Sequence, residues 1–162
     1  MSSNNIAFTS PINAPDQTPL TISEVWAGLL LKIKRAELFV PAAIKSTEVL
    51  SETTDPQTGA PVTTRNVVFH ENERKVKEIV TAYKPCRIEF EQPDGSKISN
   101  VVSEGAGGSL YLTYIFEWRH PGVSIEELAA LAEKEKKMSK DAVEGTITAL
   151  RQLVEEGSLL QG

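Results

Sequence analysis

At 162 residues the chain fits one domain, residues 1–162, large enough to bury a core, and its 40% hydrophobic and 24% charged residues are ordinary for a globular protein. A net charge of −5 argues against a phosphate-binding basic face, so nucleic acid is not expected as a partner. The single cysteine, Cys86, excludes an internal disulfide and a Cys-rich metal site, and no 18-residue apolar run or signal-peptide pattern is present. These features predict a cytoplasmic protein without a membrane partner.

Ile6-Ala-Phe8 reads as a short edge strand, after which Pro11, Pro15 and Pro19 hold the chain open. Helical spacing begins after Thr21, with Ser23 the expected cap and Glu24 in the first turn; Val25, Trp26, Leu29, Leu30 and Ile33 form its apolar face. Leu38 to Ala43 reads as a second short helix, broken near Pro41. The period then falls to two. Strands are expected over 45–54, 62–70, 76–83, 87–91, 97–103 and 109–118, the last being the longest. Asp55-Pro-Gln-Thr-Gly59, Glu71-Asn-Glu73, Gln92-Pro-Asp-Gly95 and Gly105-Ala-Gly-Gly108 supply the turns.

One helix from about Ser124 to Glu156 closes the chain. Leu128, Leu131, Met138, Ala142, Thr146, Ala149 and Leu153 form its stripe, widened by Val143, Ile147, Leu150 and Val154. The acidic residues within Lys134-Glu-Lys-Lys137 suggest a solvated face. An antiparallel meander ending in one long helix is the order of an α+β helix-grip fold, in which the helix crosses a curved sheet and encloses a cavity. Function is therefore sought in a pocket. Ala142 and Gly145 sit mid-stripe, where small residues either leave room for a ligand or allow close packing against the sheet.

Strand alternation nominates the lining. Leu110, Leu112, Tyr114, Phe116 and Trp118 share the more apolar face of the last strand, and Tyr114 brings a hydroxyl to it. Val76, Val80 and Ala82 share a face with Glu78. If that face is inward, Glu78 is a candidate acid or base; the opposite phase leaves it a surface charge. Asn100 shares a face with Ile98 and Val102, where it either orients a ligand carbonyl or satisfies backbone. Arg65, in line with Val67 and Phe69, is a partner for Glu78, an anchor for an anionic group, or simply exposed. Trp26 and Trp118 are core residues, or the lid or floor of a pocket for a flat ligand. His70 and His120 read as loop histidines and Cys86 as a passive thiol; with no ligand spacing, neither metal nor cofactor is expected.

A resemblance extends this reading. It rests on Leu29-Leu-Leu-Lys-Ile-Lys34 with Phe39-Val-Pro41, on Val76-Lys-Glu78, on Ser99-Asn-Val-Val-Ser-Glu-Gly105, and on Leu110-Tyr-Leu-Thr-Tyr with Phe116-Glu-Trp-Arg-His-Pro121. Together these resemble the acetylaranotin biosynthesis cluster protein L family, a branch of the START/Bet v1-like (SRPBCC) superfamily, over about Thr21 to Leu160. The resemblance implies a helix-grip fold with a hydrophobic cavity and a place in fungal secondary metabolism. It carries no defined catalytic motif.

The combined expectation is a cofactor-independent cyclase that closes a lactone, pyrone or aromatic ring in a poly-β-carbonyl polyketide intermediate. Glu78 would act as base, with Tyr114, Asn100 or Arg65 stabilising the enolate; Trp26, Leu112, Phe116, Trp118, Met138, Ala142 and Gly145 would hold the ligand. The rival is a non-catalytic carrier or sensor of a hydrophobic small molecule; an interaction module fits least. Oligomeric state is not legible in the sequence.

Overall fold

The computed structural model describes residues 2–159. Met1 and residues 160–162, which the one-domain reading and the far end of the resemblance include, lie outside them. Seven antiparallel strands form one sheet: β1 (Ser3–Pro11), β2 (Ile44–Thr54), β3 (Pro61–Phe69), β4 (Lys75–Tyr83), β5 (Arg87–Glu91), β6 (Lys97–Glu104) and β7 (Leu110–Arg119). Strands β2 to β7 follow one another as a meander, and β1 returns to pair with β7, giving the order β1-β7-β6-β5-β4-β3-β2. Helix α1 (Ile22–Lys34) follows β1, and α2 (Ile125–Glu155) closes the chain. This is the α+β helix-grip fold expected from the order of elements.

Several local expectations change. The edge strand β1 is nine residues long, paired with β7 from Ser3↔Arg119 to Pro11↔Tyr111. The longest strand is β2, with eleven residues against ten in β7. Helix α1 is capped by Thr21, not Ser23: the Thr21 hydroxyl accepts from the Glu24 amide while the Glu24 carboxylate accepts from the Thr21 amide. That reciprocal box satisfies two donors that a cap at Ser23 would leave open. No helix forms over 38–43; a 3-10 turn at Ala36–Leu38 is followed by turns. Proline at position 41 has no amide proton to carry a helix onward. At the other end, α2 begins at the expected place, with the Ser124 hydroxyl accepting from the Glu127 amide at 3.1 Å.

The core lies between the sheet, α1 and α2. Leu112, Tyr114, Val80, Ile88 and Phe90 from the strands meet Val25, Leu29, Val143 and Leu150 from the helices. The two helices approach closely: a Cβ on Gly28 would lie 1.9 Å from Leu150 Cδ2, so only glycine fits without displacing that side chain. Buried sheet residues obey the period of two, so Glu78, Val80 and Ala82 face inward on β4 and Ile79 outward. The phase that places Glu78 inside is the one observed.

Candidate functional site

Alternation across adjacent strands assembles the site. Register pairs Arg65 with Glu78, Val80 with Phe90, Phe90 with Ile98, and Ile98 with Phe116. One row along, Ile88 pairs with Asn100 and Asn100 with Tyr114. Of these, Val80 and Ile88 belong to the packed core, while Arg65, Glu78, Phe90, Ile98, Asn100, Tyr114 and Phe116 line a cavity of about 570 Å³ between the sheet and the helices. That is the size of a small-molecule site. Its walls are mainly apolar: Phe39 comes from the segment after α1, Phe90, Phe116 and Trp118 from the sheet, and Met138 and Ala142 from α2. Phe116 stacks on Trp118 with ring centroids 5.4 Å apart.

Arg65 and Glu78 form an ion pair that is almost wholly buried, at 3% and 4% side-chain exposure. Arg65 Nε and Nη2 donate to Glu78 Oε1 at 3.1 and 2.7 Å, and Gln92 Nε2 donates to Oε2 at 3.0 Å. Arg65 Nη1 donates to the carbonyls of Lys32 and Ile33 at 3.0 and 2.7 Å. A cation is thereby fixed at the negative end of α1, on carbonyls that have no partner inside the helix. Both oxygens of Glu78 are committed, and the guanidinium is held by three acceptors.

Beside this pair sits a residue that the sequence reading did not single out. Lys32 is 6% exposed, and its Nζ donates to Asn100 Oδ1 at 2.9 Å. The ammonium lies 4.9 Å from the centroid of Phe90 and 5.0 Å from that of Tyr114. Burial lowers its pKa most, the positive charge of Arg65 lowers it further, and Glu78 opposes them; the result is about 7. A signal was present: Lys32 stands seven residues after Val25 and three after Leu29, inside the stripe that α1 buries. Residue type hides that signal, because lysine is nearly always exposed.

Asn100 is 1% exposed, and its Nδ2 has no hydrogen-bond partner among the described residues. The assignment of oxygen toward Lys32 follows from chemistry, since an ammonium can only donate. Tyr114 is 2% exposed, and burial raises its pKa, against weaker opposing effects from Thr146 and Arg65. Its hydroxyl lies 2.6 Å from Thr146 Oγ1, which in turn donates to the Ala142 carbonyl at 2.7 Å. The Thr146 proton is therefore used, and Tyr114 must be the donor between them. Tyr114 is a neutral phenol whose proton is already placed.

Of the residues expected to hold a ligand, Phe116, Trp118, Met138, Ala142 and Gly145 line the cavity. Leu112 and Trp26 do not. Leu112 is fully buried in the packed core, and Trp26 borders a separate depression with Ile22, Tyr83 and Pro85. Leu112 shares the inward face of β7 with Phe116 and Trp118, yet the latter two reach the cavity and Leu112 does not. Gly145 lines the cavity, and a Cβ there would lie 3.2 Å from the Phe39 carbonyl oxygen, so its close packing is against the segment after α1 and not against the sheet.

The solvated reading of the Lys134–Lys137 face fails at Glu135, which is 7% exposed and lines the cavity. Asn4 Nδ2 donates to its Oε1 at 2.7 Å, and His120 Nε2 lies 2.6 Å from its Oε2. Asn4 reaches it because β1 is long enough to place Asn4 opposite Trp118. Glu117 and Arg119 form the expected surface pair at 3.1 Å. Among the described residues no helix is long and apolar enough to cross a membrane, and no cluster of three or more His, Cys, Asp or Glu side chains is placed to hold a metal ion.

The same fold recurs in proteins of known structure. The di-domain ARO/CYC StfQ of the steffimycin biosynthetic pathway superposes with a TM-score of 0.65 at 7% identity, over 97% of this chain and 52% of that one. This chain thus spans about half of StfQ. The Zhui aromatase/cyclase from Streptomyces sp. R1128 gives 0.61 at 16% identity, over 94% and 96% of the two chains. Ara h 8.0201 gives 0.53 at 14% identity, over 99% and 100%. At such identities these likenesses show the helix-grip fold alone. No curated protein sequence matches the chain. The sequence profile of one family, acetylaranotin biosynthesis cluster protein L, matches residues 6–157. With nearly the whole chain matched and the helix-grip fold in place, this protein belongs to the acetylaranotin biosynthesis cluster protein L (AtaL) family.

Proposed function

We propose that this protein is a cofactor-independent cavity enzyme that promotes ring closure of a reactive poly-β-carbonyl intermediate. One observation carries the reading: a buried amine and a buried amide with an unused donor stand together on the wall of an apolar cavity. The family's association with a biosynthetic cluster, and two structural relatives that are aromatase/cyclases, support the substrate class.

The apolar walls fold the flexible chain and exclude water, so part of the entropic barrier is removed before chemistry begins. Lys32, with a pKa of about 7, is half neutral at neutral pH and removes a proton from a methylene flanked by two carbonyls. Asn100 Nδ2 donates to the enolate oxygen that develops, and Asn100 Oδ1 with the ring faces of Phe90 and Tyr114 holds the new ammonium. The nucleophilic carbon or enol oxygen then attacks a second carbonyl and closes the ring. The role expected of Glu78 thus passes to Lys32. Glu78 keeps Arg65 and Gln92 in place and holds the Lys32 pKa from falling further.

The test uses a synthetic 3,5-dioxohexanoyl thioester, with pyrone formation followed by mass spectrometry. Acceleration over background of about 10²–10⁴-fold is expected, lost in Lys32→Met and kept by folded Glu78→Gln. A thioester retained unchanged would replace the enzyme reading with that of a carrier. Activity lost in Glu78→Gln but kept in Lys32→Met would return the base to Glu78.

A further inference from the structure

Lys32 makes no ion pair with a carboxylate among the described residues, although the buried Arg65 beside it does. Its nitrogen is instead held by half of an amide whose other half has no partner. A lysine needed only as packing would be replaced by an apolar side chain at lower cost, since a buried amine must shed its hydration. The amide offers one acceptor and one donor side by side on the cavity wall.

Resting on the reading above, we propose that Lys32 condenses covalently with a ketone of a 1,3-dicarbonyl ligand while Asn100 recognises the product as a donor–acceptor pair. The neutral amine attacks the ketone carbon, forming a C–N bond as the carbonyl electron pair moves to oxygen. That oxygen takes up two protons, one from the attacking nitrogen and one from solvent, and departs as water, leaving an iminium. Loss of a proton from the methylene between the carbonyls gives a vinylogous amide, and water reverses every step. No oxidant or reductant is required. The adduct keeps one N–H to donate to Asn100 Oδ1, and its remaining carbonyl oxygen accepts from Asn100 Nδ2. The 1,3 spacing of the ligand's carbonyls thereby matches both halves of the amide, which a simple ketone cannot do.

Several groups set the charge of the amine. Arg65 from β3 and Glu78 from β4 act on it in opposite directions, Asn100 from β6 and Tyr114 from β7 touch it, and Glu135 and Asp141 of α2 line the same cavity. Near pH 7 its neutral fraction exceeds that of an ordinary lysine by about a thousandfold.

The experiment treats the intact protein with pentane-2,4-dione at neutral pH. Vinylogous amide absorbance and protein mass are followed, and the modified peptide is mapped in the unsubstituted protein. One adduct, of one diketone less one water, is expected on Lys32, forming at least roughly tenfold faster than on any exposed lysine. Its rate should rise through pH 7 and level off. Lys32→Met should abolish it and Asn100→Ala slow it several-fold. Diketone that binds, as read by Trp118 fluorescence, without forming an adduct would overturn the covalent step and leave the ring-closure reading standing. Adducts scattered over exposed lysines would do the same. Neither binding nor adduct would count against both.

Discussion

The Arg65–Glu78 pair and the Lys32–Asn100 pair stand side by side in one cavity, yet their partners are counted differently. Every side-chain nitrogen and oxygen of Arg65 and Glu78 has a partner, among them the last carbonyls of α1 and the amide of Gln92. Lys32 has one acceptor, and Asn100 has one donor without a partner. A saturated polar cluster holds the fold and has nothing left to offer a ligand. An unsaturated one, in a native structure where buried polar groups are nearly always paired, is a place where another molecule belongs.

The sharpest way to break this comparison is to remove one member of the saturated pair. Glu78→Ala leaves the Arg65 charge buried and uncompensated, and should cost about 3–5 kcal/mol in denaturant unfolding. A loss below about 1 kcal/mol would mean that the pair is not what secures α1 to the sheet.

Removing Lys32 should act in the opposite direction. Its pKa falls from 10.5 in the ordinary case to about 7 here. The folded state therefore carries a buried charge below pH 7, and the penalty is fully present there. Between pH 7 and 10.5 the unfolded chain binds more protons than the folded one, so stability rises with pH and the penalty is relieved. Lys32→Met should be more stable than the parent at pH 6, by up to a few kcal/mol less the cost of the Asn100 oxygen left bare. The gap should close as pH approaches 10. Unfolding series at several pH values check this, and a pH-independent difference would contradict the assigned cause.

Asn100→Ala should cost less, about 1–2 kcal/mol, because it removes one hydrogen bond and one unsatisfied donor together. Its larger effect should fall on ring closure, with roughly a tenfold loss. Equal losses in stability and turnover would make Asn100 a structural residue. Smallest of all, Gly145→Ala should change stability by less than about 1 kcal/mol. The gain in helix propensity opposes the 3.2 Å contact with the Phe39 carbonyl, and a shift in melting temperature reads the balance.

Which residues share a face was legible because alternation is local: Val76, Glu78, Val80 and Ala82 must share one whatever lies beyond them, but which face of β4 turns inward was left open. Glu78, Arg65, Asn100 and Tyr114 were found this way, as were Phe116 and Trp118 on the apolar wall. Lys32 was legible in spacing and hidden by type, since the same stripe that buries Leu29 and Ile33 carries it inward. Glu135 was hidden twice. It sits in a charged run, and its partners Asn4 and His120 are 131 and 15 residues away. Leu112 and Trp26 show the converse: an inward face does not say whether a side chain meets the cavity or the packed core.

The sequence by itself determined the meander of strands, the turns at Gly95 and Gly107, the residues that share each strand face and the closing helix. Each depends on backbone sterics or on spacing within a few residues. Tertiary structure alone decided which inward polar groups meet. The pairing of β3 with β4 commits Glu78 to Arg65, and the docking of α1 against β6 delivers Lys32 to Asn100. Both outcomes are set by distances between segments far apart in the chain, to which no local period has access.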